Sequence, residues 1–257
     1  MKNSYLALQH YKKTIHEEEA QYFDDIVQAR RSIRIYDDKA TFDETAVDRS
    51  LERALLSPNS SNLQLWEFYR VKSKAKKNEL AKYCLGQNAA KTANELIVFV
   101  TRKDKWKERA RFVLAEAKKE FPATLSKKHK LIIEYYDKLI PTLYFSDPVD
   151  IAGGFKKIAS VVSGTFQPIP REVTATDMRI VVHKSVALAA QTFMLSMKAE
   201  GYDTCPMEGF DSVRVKKFLN LPRGAEICMI VSVGTAKPEG VYGKRVRIPK
   251  EQVIFEI

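Results

Sequence analysis

Residues 183–200 constrain this chain more than any other stretch. Val186, Ala189, Ala190, Phe193, Met194 and Met197 fall at i, i+3, i+4, i+7, i+8 and i+11, and Leu188 and Leu195 add a second apolar face. A helix that is apolar on nearly all sides has to lie at the centre of a fold or in a contact between subunits. Gly201 supplies its natural stop. Two short runs, residues 96–100 and 227–233, are almost continuously apolar, the pattern of strands buried on both faces. Residues 66–71 read as a further strand, and residues 75–84 as a short lysine-rich helix. Thr41 and Glu44 form a capping box ahead of a helix whose apolar face is Val47, Leu51, Ala54 and Leu55, and Pro58 ends it. Residues 1–29 look helical and charged. Residues 141–170 look irregular, with Gly153, Gly154 and Gly164, and suit a lid or peripheral excursion. Residues 253–257 are β-prone.

A chain of 257 residues fits one α/β domain and does not exclude two small ones. Gly and Pro number only ten each, which excludes collagen-like and low-complexity readings. Cys84, Cys205 and Cys228 lie far apart with no C-x-x-C, so neither a disulfide framework nor a zinc ribbon is indicated, and no metal site is expected. The first twenty residues are polar and show no signal peptide, and no apolar run approaches membrane-spanning length. A soluble, cytoplasmic protein is the expectation, without a membrane partner.

The net charge is +11, and residues 102–138 carry twelve Lys/Arg against six Asp/Glu. Such a balance favours an anionic partner: a nucleic acid, an acidic lipid or a phosphorylated small molecule. Four stretches carry chemistry. Arg30, Arg31, Ser32 and Arg34 can grip a phosphate through charge-assisted, bidentate hydrogen bonds, or can simply be a solvated basic turn. Asn59, Ser60, Ser61, Asn62 and Gln64 crowd donors and acceptors beside Trp66, which suits a heterocycle edge or a plain polar turn. Pro206, Met207, Glu208 and Gly209 form a turn able to aim backbone N–H groups at a ligand, a common pattern. Arg245 and Arg247 share one side of an extended segment and can reach the same anion as the first stretch, or serve only as a basic terminal strand.

In this order and at these spacings the four stretches resemble the FMN-dependent nitroreductase family, over about residues 26–101 and 176–250. The resemblance implies an α+β fold with a mostly antiparallel central sheet wrapped by helices, built as an intertwined homodimer with FMN at the subunit interface. It implies one domain over 1–257, with an N-terminal helical extension at 1–25 and a lid insert at 102–175. Arg30, Arg31, Ser32, Arg245 and Arg247 would hold the FMN phosphate and ribityl oxygens. Arg34 would sit near flavin N1 and O2, where the family more often has Lys. Asn59, Ser60, Ser61, Asn62 and Gln64 would reach FMN from the neighbouring subunit, and Leu65 departs from the usual Pro. Gln87 matches the Gln of an Asn-Gln pair whose Asn is here Gly86, a loss Asn88 can make good. Pro206, Met207, Glu208 and Gly209 would lie over the isoalloxazine. The terminal 253–257 segment would join the partner's sheet.

The implied activity is ping-pong hydride transfer from NAD(P)H through flavin N5 to a nitroaromatic, quinone or similar small-molecule acceptor. It needs no catalytic side chain, and His183 reads as structural. The unmatched 102–175 insert keeps open a specialised or non-turnover flavin protein of the same family. The charge keeps open a nucleic-acid-binding protein, which lacks a recognisable motif.

Overall fold

A computed structural model describes residues 17–147 and 150–257. Ten α-helices and four strands are named among them: α1 Glu17–Ala29, α2 Glu44–Leu55, β1 Trp66–Val71, α3 Lys74–Tyr83, α4 Asn88–Thr92, β2 Glu95–Thr101, α5 Trp106–Lys119, α6 Lys127–Glu134, α7 Ile140–Tyr144, α8 Ile151–Ser163, α9 Ala175–Ala199, β3 Asp203–Met207, α10 Ser212–Phe218 and β4 Glu226–Gly234. The strands form one antiparallel sheet in the order β1-β2-β4-β3. This is the α+β arrangement expected. The expected helix over 1–29 is seen as α1, and its first sixteen residues lie outside the described ones.

β2 is buried along its whole length because helices cover both faces of the sheet. Ile97 and Phe99 pack with Val186, Ala190, Phe193 and Met197 of α9 and with Val47 and Ala54 of α2. Leu96, Val98 and Val100 point the other way, to Leu80 of α3, Ala90 of α4 and Val215 of α10. Burying Phe99 and Phe193, whose ring centroids lie 5.6 Å apart, anchors the α9 side. β3 is an edge strand, which is where its internal Pro206 can be tolerated.

α9 starts eight residues before His183. Thr174 caps it, with Asp177 returning a bond to the Thr174 N–H at 3.0 Å. At its other end Gly201 (φ +84°) and Tyr202 close onto Lys198 O and Met197 O at 3.1 and 2.9 Å. By length and composition α9 could cross a membrane, but half of that window is buried against the sheet and α2, as a core helix is. Ile180, Lys184 and Leu188, spaced four apart, remain exposed along one stripe.

Two expectations are corrected. The α2 cap is Asp43, not Thr41: its carboxylate accepts from Thr45 N at 2.9 Å, so the helix begins at Glu44. Most of residues 141–170 is helical, in α7 and α8. Within α8 position 153 is glycine because a Cβ there would meet the Asp150 carboxylate at 2.3 Å, and Asp150 also accepts from Ala175 N at 2.8 Å, tying the start of α8 to that of α9. Residues 253–257 form no strand within this chain and are exposed.

α2 is fastened to the end of α9 by charge. Arg49 and Arg53 both pair with Glu200, at 2.6 and 2.5 Å. These bonds lower the Glu200 carboxyl from its ordinary 4.5 to about 2. A depressed carboxylate stabilises above its ordinary value and ceases to as pH falls through its folded value. Urea midpoints of wild type should therefore fall more steeply than those of Glu200→Gln between pH 4.5 and about 2. Parallel pH profiles would remove this role.

Candidate anion-binding site

α1 ends at Ala29, and the chain then runs extended along the free edge of β3. Ser32 bridges Thr204, Ile33 N donates to Thr204 O at 3.1 Å, and Tyr36 bridges Ala236. Tyr36 is buried, its hydroxyl bonded to Ser232, so this strand is pinned from beneath. Residues 241–247 return alongside: Arg34 N donates to Gly240 O at 2.8 Å, and Arg31 Nη2 to Gly243 O at 2.6 Å. Arg245 Nη2 donates to Gln28 O and Arg30 O at 2.8 and 2.7 Å, satisfying carbonyls at the end of α1 where a cation is favoured.

The result is a cleft of about 270 Å³ lined by Arg30, Arg31, Ser32, Arg34, Arg245 and Arg247, with Tyr242 and Lys244 in its wall. No carboxylate lines it. Among the described residues none of its five arginines is ion-paired, whereas Arg49, Arg53, Arg70, Arg102, Arg179 and Arg214 all are. Burial lowers the Arg30 pKa, and Arg245 and Arg247 lower it further. Cys205 lies beneath: burial raises its thiol pKa, and Arg34 and Arg30 pull it back. Such unpaired, converging guanidinium groups create a strong positive potential suited to a phosphate.

Of the expected 206–209 turn, Pro206 and Met207 are the last two residues of β3, paired with Val231 and Ile230, and Glu208 and Gly209 follow it. Met207 is buried in the core, so Glu208 and Gly209 are the exposed part of the turn. Gln87 Nε2 donates to Gly209 O at 2.7 Å and to Cys84 O at 3.1 Å, so its amide nitrogen positions this turn. Asn88 Nδ2 donates to the Tyr242 hydroxyl at 3.4 Å, and Arg34 lies 6.0 Å from the Tyr242 ring.

The polar loop is elsewhere. It leads into β1, the opposite edge of the sheet from β3, three strand spacings or about 14 Å across. Asn59 Oδ1 accepts from Gln64 N at 2.8 Å, and Ser60 N donates to Ser185 Oγ on α9 at 3.2 Å. Ser61, Asn62 and Gln64 all have φ near +50°, a conformation costly for these residues and concentrated at functional sites. A π-helical turn at Tyr135–Leu139 meets this loop: the Tyr135 hydroxyl bonds Ser61 Oγ at 2.7 Å and the Tyr136 hydroxyl donates to Ser61 O at 2.9 Å. One chain thus gathers Arg30, Arg31, Ser32, Arg34, Arg245 and Arg247, sets Gln87 against Gly209, and leaves residues 59–64 apart. Sequence reasoning missed Tyr242; its position three residues before Arg245 was the available signal.

Fold and cleft define an α+β protein with an arginine-lined cleft at the edge of its sheet. The chain belongs to the nitroreductase family, whose family model matches residues 27–235. It is 25% identical over 227 residues to YdgI of Bacillus subtilis, which carries a provisional designation as an NAD(P)H nitroreductase; the match covers 88% of this chain and 94% of YdgI. It is 26% identical over 223 residues to Protein DrgA of a Synechocystis species, covering 86% and 87%. The fold is shared with ydfN of Bacillus subtilis (TM-score 0.69, 22% identity, 93% and 100% coverage) and with an Exiguobacterium sibiricum protein solved in complex with FMN (TM-score 0.63, 22% identity, 91% and 97% coverage).

Proposed function

We propose that this protein is an FMN-dependent NAD(P)H oxidoreductase that passes hydride in a ping-pong cycle to a nitroaromatic, quinone or similar acceptor. The observation that carries this is the carboxylate-free cleft of five unpaired arginines beside the 206–209 turn. Its residues fit FMN: the phosphate is a dianion, and Arg30, Arg31, Ser32, Arg245 and Arg247 present donors without competing carboxylates. When bound, FMN supplies the two-electron chemistry. Arg34, with the Tyr242 ring 6.0 Å away, would supply the positive charge that favours reduced flavin. Gln87 holds the 206–209 turn, and the exposed backbone there is available to the ring.

We infer a homodimer because residues 59–64, which the family resemblance also assigns to FMN, lie too far from the cleft within one chain. A second copy would bring them to it. Exposed apolar residues support such a contact: Leu55 and Leu56 end α2 beside Ser57, which bonds Thr192 of α9, and Ile180 and Leu188 mark the exposed stripe of α9. The apolar 253–257 tail is exposed and free to join a partner's sheet. In this reading the chain is one domain, residues 102–175 form a lid insert, and the protein works in the cytoplasm.

The test is anaerobic. The full chain loaded with FMN should lose flavin absorbance on adding NADH or NADPH, and recover it on adding a quinone or nitroaromatic after the nicotinamide is removed. A chain that retains no FMN, or whose bound FMN neither nicotinamide reduces, would refute the reading.

A further inference from the structure

A second basic cavity, of about 450 Å³, lies between the end of β1, the first turn of α3, the last turn of α4 and the segment after β4. Lys72, Lys74, Lys77, Lys91 and Lys237 line it, and Asp38 is its one carboxylate. Lys72 is partnered by Glu44. Lys77 Nζ is directed inward, donating to Ala93 O and Asn94 O at 3.1 and 2.5 Å, and burial lowers its pKa. Lys74, Lys91 and Lys237 make no ion pair among the described residues, although each lines the same space.

This arrangement opposes its own electrostatics. The first turn of α3 carries Lys74, Lys76 and Lys77 and no acidic residue, so ammonium groups sit at the positive end of the helix. Lys237, distant in sequence, adds one more from the segment after β4. A bound anion would convert the accumulated repulsion into attraction. Ammonium groups are compact point charges with rotatable donors, suited to phosphate oxygens approached from several directions, and the cavity lies within the size range of small-ligand sites.

We propose that this cavity is a second phosphate site, separate from the arginine cleft, for a small molecule bearing at least two negative charges. α4 links the two: Asn88 at its start bonds Tyr242 of the arginine cleft, and Lys91, one turn later, lines the lysine cavity while its ammonium lies against Gly86. The phosphate can belong to a nicotinamide dinucleotide or to a free inorganic anion. The proposal does not rest on flavin chemistry and survives its failure.

The probe is inorganic pyrophosphate, titrated calorimetrically at low salt into the full chain saturated with FMN, and into the same chain without it. Saturable binding is expected, weakened by more than tenfold in the triple variant Lys74→Ala/Lys91→Ala/Lys237→Ala. Lys128→Ala, at an exposed lysine of α6 outside both sites, should leave that binding unchanged in the FMN-saturated protein. Unaltered pyrophosphate affinity in the triple variant, or no saturation at millimolar pyrophosphate, overturns the site. If the triple variant unfolds, Lys74→Gln alone, at an exposed position, should still weaken binding several-fold, and an unchanged affinity there overturns the site equally. Fluorescence titrations with NADPH and NADH separate the sources. Weaker NADPH binding with NADH unchanged assigns the 2′-phosphate, and weakening of both assigns the pyrophosphate bridge. Loss of pyrophosphate binding with both nucleotides unaffected assigns a free anion. FMN retention, read in parallel, stays at the wild-type level if the two sites are separate.

Discussion

Arg30→Ala should weaken FMN retention by about 10- to 100-fold and leave the flavin-free protein no less stable than wild type. The range follows from removing one charge-assisted hydrogen-bonding group, worth roughly 1.5–3 kcal/mol. The opposite behaviour of the free protein comes from the structure. Among the described residues the Arg30 side chain makes no hydrogen bond or ion pair. Its pKa is lowered by burial and by Arg245 and Arg247. Truncating it therefore relieves like-charge crowding without leaving a buried partner unsatisfied. FMN fluorescence titration gives the first quantity and a thermal melt without flavin the second. Unchanged FMN affinity with a lowered melting temperature would make Arg30 a structural residue and remove the cleft's central ligand.

Arg70→Met should cost about 3–5 kcal/mol of stability, roughly 10 °C in melting temperature for a chain of this length. Glu95 is 2% exposed at the start of β2, and Arg70 on β1 is the group that neutralises it: Nη2 donates to Glu95 Oε1 at 2.7 Å and Nε to Oε2. Arg70 also donates to Glu44 O at 2.8 Å and pairs with Asp48, which ties α2 to the sheet. The Glu95 bonds raise the Arg70 pKa, so the cation persists at any accessible pH. Removing it leaves a buried carboxylate without a partner. The double variant Arg70→Met/Glu95→Met removes both charges and should recover most of the loss. Differential scanning calorimetry of the three proteins decides it. A wild-type melting temperature for Arg70→Met alone would show that solvent reaches Glu95.

Much of the scaffold was legible because the burial it requires is written in periodicity. Residues 96–100 and 227–233 are apolar without alternation, and they are β2 and β4, the two inner strands covered on both faces. The apolar face of α9 at 186–197 packs on Ile97 and Phe99 as its spacing requires. Errors came where a local signal had two meanings. Thr41 and Glu44 matched a capping pattern, yet Asp43 is the residue whose carboxylate meets the first free N–H groups. Gly153 and Gly154 read as punctuation, yet Gly153 makes room for the Asp150 carboxylate inside a helix.

Composition, periodicity and motif order determined by themselves the covered strands, the core helix and which residue types could meet an anion, because each depends on neighbours only a few positions away. Whether those residues meet was decided by tertiary structure alone. Arg31 and Gly243 are 212 residues apart, and Arg245 and Gln28 are 217 apart, joined by backbone carbonyls that no side-chain spacing announces. The same folding that closed the arginine cleft left residues 59–64 at the opposite edge of the sheet. It also gathered five lysines from separate stretches into one cavity. Such convergence depends on strand order and on where returning segments pair, and those are properties of the whole chain.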